Sequence, residues 1–590
     1  PDAMEAVAPS YASDLPVVIP VGATAGDALD RLAGDLAALR DVVGGSGASN
    51  AWALGPSMTA TGGPILANDP HLGPTVPPPW YLAHLRTPEW AVAGASFVGG
   101  PAFPTGHNGH AAWGITAGCT DSADLFWEDL DLAAGTARGP KGPEPVTRLE
   151  ERIGVRGGED DVETILSTAR GPVVTPLLHA DTALSLRATW LEPAKVRGFL
   201  AIHRSRDFET FRAAFAEWPG PALNVVYADA LGHIGWQLVG TLPRRRAGRG
   251  TLPRPAWDAD AGWEASALPF DALPRVLDPE AGYVVSANNA PRADTPGLPF
   301  LGVDWLDGWR AARIGDLLPG RRDWDVPATM ALQTDVRAVA WNVLRPYVVA
   351  AGNASSDVTL ATSLLTQWDG DVAPESAAAA VYELFLAELA VILARERAPR
   401  AWQAALGGGV GPALPRTSLG AVTVSRLVAR LRGGPDASAA IVEALESAVR
   451  TLRAIAGDDP AGWAWGALRP LRLLHPIGVR RPLDRMLNLG PVPLGGDTNT
   501  VSQAGVRPLD PLANPAAIPN HRTVIDLANV ERSRFVLAGG QSGNPLSPHY
   551  DDLFVLWQRG EGVPIPWSSN AVAAATTRRL VLRPGRTRSS

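Results

Sequence analysis

Cysteine is almost absent: Cys119 is the only one in 590 residues, so no disulfide can form within the chain. Its neighbours Gly118 and Thr120 supply no base, which leaves Cys119 as a small buried apolar residue rather than a nucleophile. Long apolar runs are also missing. The best stretch, Ala377 to Ala394, is interrupted by Glu383 and Glu388 and predicts a packed helix, not a membrane span. No basic stripe exists beyond Arg244–Arg246, which reads as a charged strand end in water, so nucleic-acid binding has no support. Several catalytic signatures are lacking as well: no Gly-x-Ser-x-Gly elbow, no His-Glu-x-x-His pair, no Walker loop and no Gly-x-Gly-x-x-Gly opening a helix. The chain opens Pro1-Asp2-Ala3 with neither an initiator Met nor a signal-peptide pattern, which predicts a trimmed chain.

What is present describes an ordinary globular protein of more than one lobe. Its 590 residues exceed what one hydrophobic core usually supports, and 46% hydrophobic residues exclude a disordered chain. The 52 basic and 60 acidic residues give a net charge of −8, with both signs mixed along the chain. Twenty Trp against seven Tyr and twelve Phe predict many apolar ring contacts, in a core or lining a pocket.

The periodicity changes along the sequence. A helix is expected at Gly26–Val43, then a flexible Gly44-Gly45-Ser46-Gly47-Ala48 break, then strands at Asn50–Leu54 and Pro64–Ala67. Strand patterns dominate from Trp90 to about Ala259, apart from a short helix at Phe208–Ala216. From Ala311 to Arg453 the pattern is helical and Ala-rich, and strands return at Thr523–Asp526 and Phe535–Ala538. Strands, a helical lobe, then strands again predict an α+β core carrying a helical insertion.

Ser49 is the candidate nucleophile. A Ser that follows a flexible small-residue run and opens a strand can attack the carbonyl before it and free a new amino terminus. A free α-amine has a reference pKa of about 7.7–8.0, so it can serve as general base for its own hydroxyl. Taken by itself, the same run also fits a plain linker. His107-Asn108-Gly109-His110 could suggest a metal pair, but Gly109 disfavours the helix such a pair needs, and a satisfied turn histidine fits better.

The motifs carry more than any one residue. Ser49-Asn50-Ala51-Trp52-Ala53-Leu54-Gly55 and Leu66-Ala67-Asn68-Asp69-Pro70-His71-Leu72 resemble the opening of the catalytic β-chain of penicillin acylases. Gly106-His107-Asn108-Gly109-His110-Ala111-Ala112-Trp113-Gly114-Ile115-Thr116-Ala117-Gly118 is similar to that family's second signature. Further resemblances follow in family order: Tyr283 to Asn289, Gly308 to Ile314, Gly539 to Pro545 and His549 to Asp552.

The resemblance implies a four-layer αββα N-terminal-nucleophile hydrolase core and hydrolysis of the linear amide of a small N-acylated substrate. It implies a division into α-chain tail and spacer (1–48), the first part of the catalytic core (49–310), a helical lobe (311–470) and the C-terminal part of the core (471–590). Ser49 matches the nucleophile, Ala117 the backbone oxyanion donor and Asn288 the side-chain donor. His71 matches a residue that bonds near the nucleophile and orients it, and Arg310 an arginine beside the donor asparagine. By residue type alone, Asn288 also fits a turn, His71 a capped core histidine and Arg310 a surface ion pair. Leu72, Thr105 and Ile115 fall at acyl-pocket positions, whose low aromatic content favours an aliphatic acyl chain.

No catalytic cofactor is implied. Asp121, the Ala123 carbonyl and Asp124 match ligands of a structural calcium ion, or are surface acids on a loop. A further family Asp falls near Pro299, where Asp304 could substitute. The resemblance also implies self-cleavage into an α/β heterodimer, a periplasmic or secreted location, and neither nucleic acid nor a membrane span. A catalytically dead paralogue acting as a binding scaffold, or a cyclic-amide or peptidase-like hydrolase on the same core, are the other readings.

Overall fold

The computed structural model describes residues 48–582 except 101, 176–181, 195–196, 294–296, 304, 398, 400–401, 407–423 and 434–436. The expected helix Gly26–Val43 and the possible calcium ligand Asp304 therefore lie outside the described residues.

Two antiparallel sheets form the centre. The first has Tyr283–Ser286, Ala48–Leu54, Ile65–Leu72, His521–Asp526 and Arg534–Leu537 in that order, with Ile518–Pro519 also on the Ile65–Leu72 strand. The second runs Arg275–Leu277, Ile234–Val239, Leu223–Asp229, Ala111–Ala117, Thr105–His107, Ala91–Phe97 and Trp80–Arg86. Side-chain alternation sorts each strand into two faces. Ala51, Ala53, Leu66, Ala112, Val226 and Ile525 meet between the sheets. Trp52, Leu54, Ile65 and Val524 turn outward onto Ile314, Leu318, Met330 and Leu332 of the helical segments after Trp309. Trp113, Val225 and Tyr227 turn outward on the other side onto Phe208, Phe211 and Phe215 of the helix Phe208–Phe215. The layers are helix, sheet, sheet, helix, the α+β class expected.

The helical insertion packs around its own core. Ser356–Gln367, Ala377–Arg397 and Ala437–Ala456 bury Leu365, Tyr382, Phe385, Leu389, Ile441, Leu445 and Leu452 together with Trp341, Trp463 and Trp465. Among the described residues, the segment Ala377–Glu396 alone is long and apolar enough to cross a membrane, and it is the lobe's central helix. The Ala437–Ala456 helix, not singled out from the sequence, buries Ala440, Ile441, Ala444, Leu445, Ala448, Val449 and Leu452, a stripe at helical spacing.

Several strands were not singled out from the sequence, among them Tyr283–Ser286, Trp80–Arg86 and Ala123–Asp131. Trp80–Arg86 forms an edge of the second sheet, and Ala123–Asp131 opens a separate sheet with Thr182–Ala188.

Candidate active site

The Ala48–Ser49 peptide is the first bond of the strand Ala48–Leu54: Ala48 pairs with His71, Ser49 with Pro70 and Asn50 with Asp69. Both residues are buried. The Ser49 hydroxyl donates to the Ala48 carbonyl oxygen in a short contact, while the Ser49 N–H donates to Asn288 Oδ1 at 2.7 Å.

Asn288 follows the strand Tyr283–Ser286 with φ +63°, a left-handed conformation that Asn tolerates better than most residues. Its Oδ1 also accepts from Arg310 at 3.0 Å, and its Nδ2 donates to the Ala117 carbonyl at 3.1 Å. Arg310 sits in the first turn of the helix Trp309–Leu317, fully buried. Its guanidinium donates to Ser49 O at 2.8 Å, Asn50 Oδ1 at 2.7 Å and Ala287 O at 2.7 Å. Burial pulls Arg310 down to about 10 against the opposing pull of Asp69, which leaves it cationic at neutral pH. Ser49, Asn288, Arg310 and Ala117 are thus brought together around one peptide.

The sheets are pinned to each other beside that peptide. Asn68 donates to Asn50 O at 2.7 Å and Ile115 O at 2.9 Å, and accepts from Ile115 N at 3.1 Å. Gly114 allows this approach, since a Cβ there would stand 2.6 Å from Asn68 Cβ. Thr116 Oγ1 meets Ser286 Oγ at 2.8 Å, and Asn224 Nδ2 donates to Thr116 Oγ1 at 3.0 Å and Ala117 O at 3.1 Å. These bonds fix the strand end that carries Ala117.

His71 lies near Ser49 but does not reach its hydroxyl. It shares the helix-facing side of the sheet with Asn50 and Asp69, whereas Ser49 shares the intersheet side with Ala51. Alternation therefore sends its ring to Asp69 Oδ2 at 2.7 Å, Gln503 Oε1 at 3.2 Å and Asn50 Nδ2 at 3.3 Å, not to the Ser49 hydroxyl. Its effect on the nucleophile passes through Asp69 to Asn50, whose Nδ2 gives its two protons to Asp69 at 2.9 Å and Val501 O at 2.9 Å. Burial pushes the His71 pKa down, opposed by Asp69.

The loop 497–503 closes this buried network. Asp497 Oδ1 accepts the N–H groups of Asn499 and Thr500, both at 2.7 Å, and Gln503 Nε2 donates to Thr498 O at 2.7 Å. Gln503→Leu removes the polar partner of His71 Nδ1 and is expected to cost about 1–3 kcal/mol. A lowered thermal midpoint checks this; an unchanged one means the contact adds nothing.

The acyl-pocket candidates do not converge on one face. Ile115 packs with the outer cluster of Phe103, Phe211 and Trp113, because Gly114 and Thr116 take the intersheet side. Thr105 is fully buried two residues from His107, and Leu72 packs beside Val76 and Trp80. His107 itself is not a satisfied turn histidine. It ends a strand, lies tilted against Trp567 at 4.8 Å between ring centres with neither ring nitrogen hydrogen-bonded, and burial pushes it down to about 3.

Asp121 and Asp124 do not offer the open oxygens that calcium needs. Arg245 Nη2 stands 3.0 Å from Asp121 Oδ1 and 2.7 Å from Asp124 Oδ1, so the residues present do not fit the ion.

Asn50, Asn68 and Asp69 stand inside the quoted motifs without having been assigned roles, and their polarity within apolar strands was the available signal. Asn224 and Gln503 had no local signal, since their partners are distant in sequence.

Comparison with known proteins shows the family and the fold. The penicillin amidase family model matches residues 2–574. Penicillin acylase 2 proenzyme of Pseudomonas sp. (strain SE83) is 32% identical over 580 residues, covering 94% of this chain and 73% of its own length. The acyl-homoserine lactone acylase QuiP of Pseudomonas aeruginosa is 29% identical over 609 residues, covering 92% and 69%. The solved thermostable penicillin G acylase from Alcaligenes faecalis superposes with a TM-score of 0.67 at 21% identity, covering 91% of this chain and 100% of that one, a likeness of fold. The chain belongs to the penicillin amidase family and is an amide-hydrolysing acylase.

Proposed function

We propose that Ser49 frees itself by cutting the Ala48–Ser49 bond and then serves as the N-terminal nucleophile of the acylase. The observation that carries this reading is the Ser49 hydroxyl lying against the Ala48 carbonyl, with Asn288 and Arg310 on the same short backbone stretch. In maturation Oγ adds to the Ala48 carbonyl carbon, the C–N bond breaks, and the Ser49 nitrogen takes the proton. Water then hydrolyses the ester and leaves a free α-amine.

In turnover that amine removes the hydroxyl proton as Oγ attacks the substrate's acyl carbon. The oxyanion is met by Asn288 Nδ2 and the Ala117 N–H, and the departing amine receives the proton. Water releases the acid from the acyl-enzyme. The substrate class is a small N-acylated molecule of the kind named for the relatives, a penicillin or an acyl-homoserine lactone. The product is a heterodimer of an α-chain and the chain beginning at Ser49, working in the periplasm or outside the cell.

N-terminal analysis of purified protein, followed by a panel of acyl donors, tests the proposal. A chain starting at Ser49 and release of free acid support it; an intact Ala48–Ser49 bond with no acyl release supports a binding scaffold instead.

The rate should also report the amine. Only its neutral form accepts the proton, so kcat/KM is expected to rise with pH through an ionisation at or below about 7.7–8.0, lowered by the nearby Arg310 cation. Burial pushes the His71 pKa down from its ordinary value, so any limb it makes lies at lower pH. A profile flat through the neutral range contradicts the amine as base.

A further inference from the structure

The run Arg244–Arg246, read from the sequence as solvated, sends its middle member inward. Arg245 is 6% exposed and sits between Asp124 at 8% and Asp121 at 14%. Its Nε donates to both oxygens of Asp124, at 3.1 and 3.0 Å, and its Nη2 reaches Asp124 Oδ1 at 2.7 Å, Asp121 Oδ1 at 3.0 Å and the Asp121 carbonyl at 3.3 Å. Trp263 Nε1 donates to Asp124 Oδ2 at 2.5 Å.

The backbone is shaped for this arrangement. Gly250 has φ +71°, and a Cβ there would stand 2.0 Å from Asp124 Oδ1 and 2.3 Å from Arg245 Nε. At the segment where the family resemblance expects one more acid, Pro299 gives its carbonyl to Arg292 at 2.5 Å, and the Phe300 ring lies 5.9 Å from the Arg245 guanidinium.

We infer that Arg245 is a built-in counter-cation that replaces calcium between Asp121 and Asp124, so that folding and activity need no metal at this place. Calcium requires about six to eight oxygen ligands, yet both Asp124 oxygens already accept N–H groups. A dication would also have to sit within a few ångströms of a buried guanidinium, which Coulomb repulsion opposes. The planar fork meets two carboxylates from one side chain, which a point charge does less well. The clamp holds the segment just after Ala117, where Asp121 N also donates to Leu301 O at 2.8 Å. The oxyanion strand is thereby braced by protein alone.

The test uses the whole protein purified without added metal. Metal analysis should find no stoichiometric calcium, and the thermal midpoint should be unchanged by a chelator or by millimolar calcium. Arg245→Ala should lower the midpoint, and calcium should then raise it, because the two carboxylates regain free oxygens. Arg245→Lys should fall between the two. One calcium retained per wild-type chain, a wild-type midpoint that drops on chelation, or an Arg245→Ala protein as stable as wild type would each overturn the inference. If Arg245→Ala does not accumulate, the wild-type chelation result decides.

Discussion

Ser49→Ala is expected to accumulate as an uncut chain with no acylase activity. The variant loses only the hydroxyl that contacts the Ala48 carbonyl. Every other contact of this residue is made by its backbone: the N–H to Asn288 and the carbonyl from Arg310. The strand, its register with Pro70 and the surrounding network therefore survive, and loss of cleavage cannot be blamed on misfolding. Ser49→Cys keeps a nucleophile in the same place and should retain measurable cutting, since a thiol can make the same acyl shift. Intact-mass measurement of both variants beside wild type gives the result directly. Normal processing of Ser49→Ala would remove Ser49 from the mechanism.

The second large effect is expected at Asn288. Loss of one oxyanion donor typically costs about 2.7–4 kcal/mol, roughly 10²–10³ in kcat, with little change in KM when the bond exists only in the transition state. The positive φ of Asn288 makes Ala a poor probe alone, because the substitution adds backbone strain. Asn288→Gly relieves the backbone and still deletes the amide, so both variants should lose activity to a similar degree. Asn289 is the control: it is half-buried and its Oδ1 accepts the Ala287 N–H at 3.0 Å, away from Ser49. Rates must be normalised to the cleaved fraction, because the same amide faces the Ala48–Ser49 peptide. A large kcat loss at Asn289 with Asn288→Gly near wild type would show the wrong asparagine had been assigned; negligible loss at both would place this turn outside the chemistry.

The difference between what the sequence revealed and what it hid is a matter of distance and register. The strands at Asn50–Leu54 and Pro64–Ala67 were legible as short apolar runs, although the second continues to Leu72, and the helical insertion because Ala-rich periodicity persists from Ala311 to Arg453. The Ala437–Ala456 stripe was within reach of the same argument. The side on which His71 falls was not, since it depends on Ala48 pairing with His71 rather than Ser49 doing so, and a slip of one residue reverses every face. Arg245 looked solvated because its two carboxylate partners lie more than a hundred residues earlier in sequence, and Gln503 reaches His71 across 432 positions. Buried polar groups of this kind are recognised by their partners, which local pattern does not carry.

The central claim is that the acyl group passes through Ser49, and trapping that intermediate tests it most directly. Processed protein mixed with an acyl donor and quenched in acid within the first turnover should show the chain beginning at Ser49 heavier by one acyl group. Peptide mapping should then place the added mass on Ser49 itself, as an ester that alkaline hydroxylamine removes. An adduct on another residue, or turnover from a chain whose Ala48–Ser49 bond is still intact, would contradict the account.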